Sequence, residues 1–121
     1  MSPEQTVYDT LRNAAAVTAI VGTGGAARIY PDVLPEESVL PAITFERTTS
    51  DPQYGLDGTV HVTRATMAVV SWATTRVAAE ALADQIAAAM TAATIPPEAR
   101  AGEFDVETES AAVALTFDIW Y

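Results

Sequence analysis

A chain of 121 residues, half of them hydrophobic, suits one domain spanning residues 1–121 around one core, and its lack of cysteine excludes a disulfide framework, a thiolate zinc site and a cysteine nucleophile. The formal net charge of −10 sets sixteen acids against six arginines (Arg12, Arg28, Arg47, Arg64, Arg76, Arg100) scattered singly, whereas tight DNA or RNA binding needs clustered cations that release counterions. "MSPEQTVYD" lacks the basic flank and apolar core of a signal peptide, and no apolar run approaches the roughly 18 to 20 residues that span a bilayer, so a soluble intracellular chain without membrane contact is expected.

The first element begins at "SPEQ": Ser2 as N-cap, Pro3 at the first helical position and Gln5 three residues after the cap predict a helix. Val7, Leu11, Ala14, Ala15 and then Thr18 or Ile20 follow at near-helical spacing until Gly22, with a break possible where Asn13 offers a second cap. "GTGG" lacks the Lys-Ser/Thr that completes a phosphate loop and reads as a flexible connection. A short strand at Arg28 to Tyr30 precedes a proline-rich extended segment, whose Asp32, Glu36 and Glu37 read as a solvated loop. After Pro41, "AITFERT" alternates Ile43 and Phe45 against Thr44 and Glu46, as a half-buried strand does.

"SDPQYGLDG" carries turn chemistry and reads as a loop. "TVHVTRATMAVVSWA" then predicts a long strand with Ala65, Met67 and Val69 on one face and Arg64, Thr66 and Ala68 on the other. From Thr74 or Thr75 the period becomes helical, with Val77, Ala81 or Leu82, Ile86, Ala89 or Met90 and Ala93 as the apolar stripe, and "IPPEARAG" stops it. In the last strand Val113, Leu115, Phe117, Ile119 and Tyr121 point one way and Ala114, Thr116, Asp118 and Trp120 the other. The order α-β-β-β-α-β-β predicts an α+β domain: an antiparallel sheet of about four strands with two helices packed on one face.

Three stretches in order, "RIYPDVLPEESVLPAITFERTTSDPQYGLDG", "ATMAVVSWATTRVAAEALADQIAAAM" and the closing "LTFDIWY", resemble the tail-completion family of long-tailed phages and prophages over nearly the whole chain. The sequence departs from the family pattern at "GTGGAA" and in a short connection between its last two strands. The resemblance implies a tail terminator, or tail-to-head joining protein: a small α+β subunit forming a hexameric ring on the completed tail tube. Its partners would be copies of itself, the tail tube protein and the head-tail connector or stopper protein. DNA would pass through without specific binding, with no enzymatic step and no cofactor. Another neck component, and a small monomeric ligand-binding or adaptor domain, are the alternatives.

Individual residues sharpen these expectations. Glu103, Asp105, Glu107 and Glu109 alternate with Phe104, Val106 and Thr108 and are expected on one strand face, either as a solvated edge, as the lining of a bore or ring contact, or as ligands for a hard cation. His61, the one histidine, offers at most a single base to any triad and reads as a strand-surface residue, with a pH switch as the alternative. Trp72 and Trp120 fall by parity on the sheet face away from the helices, either as boundary aromatics or as subunit anchors, with Tyr121 beside them at the terminal edge.

Overall fold

The computed structural model describes residues 2–22, 28–32, 40–105 and 110–121, apart from the side chains of residues 60, 61 and 103–105. Helix α1 (Pro3–Arg12) starts as the sequence predicts: Ser2 Oγ accepts from the Gln5 N–H at 3.2 Å and Pro3 opens the helix. Asn13 closes this helix rather than capping the next, its N–H reaching Asp9 O at 3.0 Å. The break therefore falls at Ala14, and α2 (Ala15–Val21) begins there without a side-chain cap and ends at Gly22, whose φ of 98° few other residues tolerate. Arg28 ties this end to the sheet by donating to Ile20 O (3.0 Å) and Pro41 O (2.8 Å).

Strands β1 (Ile29–Pro31), β2 (Ala42–Tyr54), β3 (Val60–Ala73), β4 (Ala99–Asp105) and β5 (Ser110–Trp120) form one sheet in the order β1-β2-β3-β5-β4. The domain is α+β, and its sheet has five strands rather than about four, with β1 parallel to β2 and the remaining pairs antiparallel. Helix α3 (Arg76–Ala92), capped by Thr75 Oγ1, joins β3 to β4. Three helical segments, one more than expected, cover one face of the sheet. Val7, Leu11 and Val17 meet Leu82, Ile86 and Met90 above Phe45, Met67, Val69, Leu115 and Phe117, all buried. Ser71, a polar residue in this core, is satisfied by donating to Ala79 O at 2.9 Å.

Three expectations are corrected. "SDPQY" is not loop: β2 runs to Tyr54, and only Gly55–Thr59 turns. Pro52 is tolerated because β1 stops opposite Phe45, leaving that part of β2 with no described strand on its outer side to require an N–H. "ARAG" is likewise strand, since β4 begins at Ala99, where Arg100 is anchored to α3. The stripe of α3 runs through Ala79, Leu82, Ala83, Ile86 and Met90, while Val77 is 81% exposed.

Candidate functional site

The face of the sheet away from the helices has no described helix over it. Cross-strand register places Arg64, Thr66, Ala68, Val70 and Trp72 of β3 beside Trp120, Asp118, Thr116, Ala114 and Ala112 of β5, and β4 adds Ala101 and Ala99. Residues paired across an antiparallel ladder share a face, so this is a shallow surface of small and β-branched side chains with a tryptophan at each end. Both tryptophans lie where parity predicts, but the structure does not bring them together. Trp72 pairs with Ala112 and Trp120 with Arg64, so eight residues of β3, about 26 Å at strand rise, separate them.

Their environments also differ. Trp72 is half-buried and donates Nε1–H to Thr44 Oγ1 at 2.9 Å, which makes it the cover of the sheet at the end nearer α3. Trp120 is 56% exposed, and its one described polar neighbour across the strand is the Arg64 guanidinium, 6.0 Å from the ring centre. Arg64 is itself held by Asp51 at 2.9 Å, so one cation joins β2, β3 and the end of β5.

Tyr121 keeps the parity of Val113, Leu115, Phe117 and Ile119, pairing with Thr63 one rung beyond Trp120, but remains 46% exposed where they are buried. It is nevertheless fixed. Its backbone exchanges hydrogen bonds with Thr63 (2.7 and 2.9 Å), its hydroxyl accepts from Arg47 Nη1 at 2.9 Å, and the same guanidinium lies 5.4 Å from its ring centre. Arg47 also holds Glu4 through two parallel bonds of 2.8 and 2.7 Å. The Glu4 carboxyl is held below its ordinary pKa chiefly by this hydrogen bonding to Arg47, and the carboxylate in turn raises the Arg47 pKa. The terminus, β2 and α1 are thus clamped by one arginine that no local pattern in the sequence announces.

A second clamp joins β4 to α3, with Arg100 bonding to Asp84 at 2.8 Å and to Glu80. The acidic run follows on β4, where register sets Glu103 opposite Ala112 and Asp105 opposite Ser110. The side chains of Glu103 and Asp105, like that of His61, lie outside the described residues, as do Glu107 and Glu109 entirely. Among the described residues no group of three His, Asp or Glu side chains converges as metal ligands.

Concave features are modest. One groove of about 430 Å³ between α1 and α3 is lined by Asp9, Thr10, Asn13 and four alanines, and another of about 600 Å³ runs along the outer side of α3 past Val77 and Ala81. The first sets its three polar side chains among alanines, and the second has Arg76, Glu80 and Asp84 along its walls. No helix among the described residues is long and apolar enough to cross a membrane.

Comparison with known proteins supplies a frame for these surfaces. The family described as "Tail completion protein gp17" matches residues 5–121. A chain in the structure titled "Virion of native gene transfer agent (GTA) particle" shares the fold with a TM-score of 0.67 at 18% identity, over 93% of this chain and 88% of that one. No curated protein matches the sequence.

Proposed function

The chain belongs to the tail completion protein gp17 family and is a structural protein of a phage-type virion tail; from that premise we propose that it is the tail terminator, six copies of which close into a ring on the finished tail tube. The observation that carries this reading is a whole domain given over to surfaces. The family match begins at Gln5 and runs to Tyr121, and within it lie a sheet face with no described helix over it, a long exposed hairpin and a fixed terminal edge. Trp120 and the terminal edge serve as contacts to a neighbouring subunit, because a half-exposed tryptophan set on a rigid strand suits an interface anchor.

Ring faces then divide among partners. One face meets the tail tube protein and stops further addition of tube subunits, and the other meets the head-tail connector or stopper. Six chains at −10 each carry a formal charge of about −60, which keeps DNA moving through the bore without adhering. Glu103, Asp105, Glu107 and Glu109 are assigned to the bore on the strength of that charge.

The same charge makes subunits repel one another at low ionic strength, so apolar and shape contacts hold the ring and salt strengthens it. Light scattering across salt concentration tests this. A mass rising to that of a hexamer as salt increases supports the ring, whereas a monomer at high salt, both alone and with tail tubes added, contradicts it.

A further inference from the structure

Two exposed apolar patches lie at opposite ends of β3. At one end the β2–β3 hairpin runs past the last rung of β5, and its tip presents Leu56, fully exposed, and Tyr54, 65% exposed. The tip is stiff: the Gly55 N–H reaches Thr59 O at 2.8 Å and the Gly58 N–H reaches Gly55 O at 3.0 Å. Asp57 Oδ1 accepts from the N–H and the hydroxyl of Thr59 at 3.1 and 2.8 Å, and Gly58 takes the φ of +81° that the turn needs. A rigid turn loses little entropy on docking, so the exposure of Leu56 is a preformed presentation and not a passing fluctuation.

At the other end, two residues after β3 finishes, α3 begins with Arg76 and the exposed Val77. These line the outer groove of about 600 Å³ together with Glu80, Ala81 and Asp84. The floor is apolar and the walls are balanced. Arg100 binds both Glu80 and Asp84, and Arg76, itself 62% exposed, stands only 3.8 Å from Glu80. The lining sets Arg76 against Glu80 and Asp84, and Arg100, reaching both acids from β4, offsets the second, so in a chain of −10 another acidic subunit meets little local repulsion here. Asp51 is taken up by Arg64, but the tip itself, residues 54 to 59, carries one acid, Asp57, and no base, a charge opposite to that of the half-exposed Arg76.

We infer that the occupant of this groove is a second copy of the chain: Leu56 and Tyr54 at the hairpin tip of one subunit seat on Val77 and Ala81 of the next, beside its Arg76. Thirteen strand steps, about 40 Å, separate the two patches along β3, so they cannot meet within one molecule. A tip-to-groove contact between copies uses different surfaces on its two sides, and repeating such a contact generates a closed ring or an open helix. The inference rests on the ring reading and names the joint that closes it.

The chain has no cysteine, so paired introduced cysteines report the contact directly. The L56C/V77C double variant, oxidised with and without tail tubes, is expected to give a non-reducing ladder ending at the hexamer. L56C or V77C alone should give none, because a disulfide needs its two Cα atoms within about 7 Å. A second arm uses L56D, expected to raise the concentration at which the hexamer forms at least about tenfold, and L56M, expected to leave it unchanged. A hexameric mass without the ladder, or an L56C chain that bonds to a cysteine placed on the tube protein instead, overturns the joint while leaving the ring standing. A monomer under every condition overturns the ring itself.

Discussion

Replacing Arg47 by methionine keeps the aliphatic stem of the side chain but removes the paired bonds to Glu4, the hydrogen bond to the Tyr121 hydroxyl, the contact with the Tyr121 ring and a longer, exposed bond to Ser50 Oγ (3.2 Å) that adds little. The side chains of Arg47 and Glu4 are 30% and 39% exposed, so their pair sits at the upper end of the range for surface ion pairs, about 1 kcal/mol. The hydroxyl and ring contacts add about 0.5 kcal/mol each at this exposure. R47M should therefore cost about 2 kcal/mol, a fall in Tm of roughly 8 °C for a chain of this length. Glu4→Gln should cost about 1 kcal/mol, and a double-mutant cycle between the two should return a coupling of about 1 kcal/mol near pH 7.

The coupling has a predictable pH dependence. A carboxyl whose folded pKa lies below its unfolded one contributes stability that is fully present above the unfolded value, about 4.3, and is lost as pH falls through the folded value beneath it. Urea unfolding at fixed chain concentration should thus show the coupling undiminished from about pH 7 to about pH 5, and close to zero near pH 2. A coupling of zero at neutral pH, or one that persists unchanged in acid, refutes the clamp. An R47M cost no greater than that of E4Q refutes the share assigned to Tyr121.

Phe117 is fully buried in the middle of β5, and Phe117→Ala should cost about 3–5 kcal/mol in urea unfolding, a large part of the roughly 5–15 kcal/mol that keeps a domain folded. Trp120→Ala should leave that unfolding midpoint almost unchanged yet weaken ring formation by about 2 kcal/mol, near thirtyfold in the assembly constant read by light scattering. Trp72→Phe should show the reverse, losing about 1 kcal/mol of stability with the Thr44 hydrogen bond while assembling normally. Neutralising Glu103, Asp105, Glu107 and Glu109 to their amides should spare the ring mass and slow DNA release from filled particles, an effect seen by dye uptake during ejection.

Legibility in the sequence followed the range of the interaction. The start of α1 was readable because Ser2, Pro3 and Gln5 act within one turn, and the facing of β5 because Val113 to Ile119 alternate without interruption. The phase of α3 was not, since alanines occur on every side of that helix and only Leu82, Ile86 and Met90 mark its inner face; Val77 was placed inside by the same ambiguity. Gly55 does turn, but Pro52 suggested a loop because no local pattern shows that β1 ends early and leaves β2 free to carry a proline. The clamps were invisible for a different reason. Glu4 and Arg47 lie 43 residues apart and Arg100 lies 16 from Asp84, so neither pair leaves a local pattern. One signal was available: six single arginines among sixteen acids invite the question of which acids each one holds. As for the candidate site, parity placed Trp72 and Trp120 on the open face correctly but carried no information about burial, which is what separates a cover from an anchor.

The central claim is that this chain ends a tail tube, and electron microscopy of purified tail tubes incubated with the protein and then offered fresh tube subunits tests it most directly. The account predicts a six-fold ring at one end of each tube and no further growth from that end. Protein absent from the ends, or scattered along the tube wall while elongation continues, would contradict it.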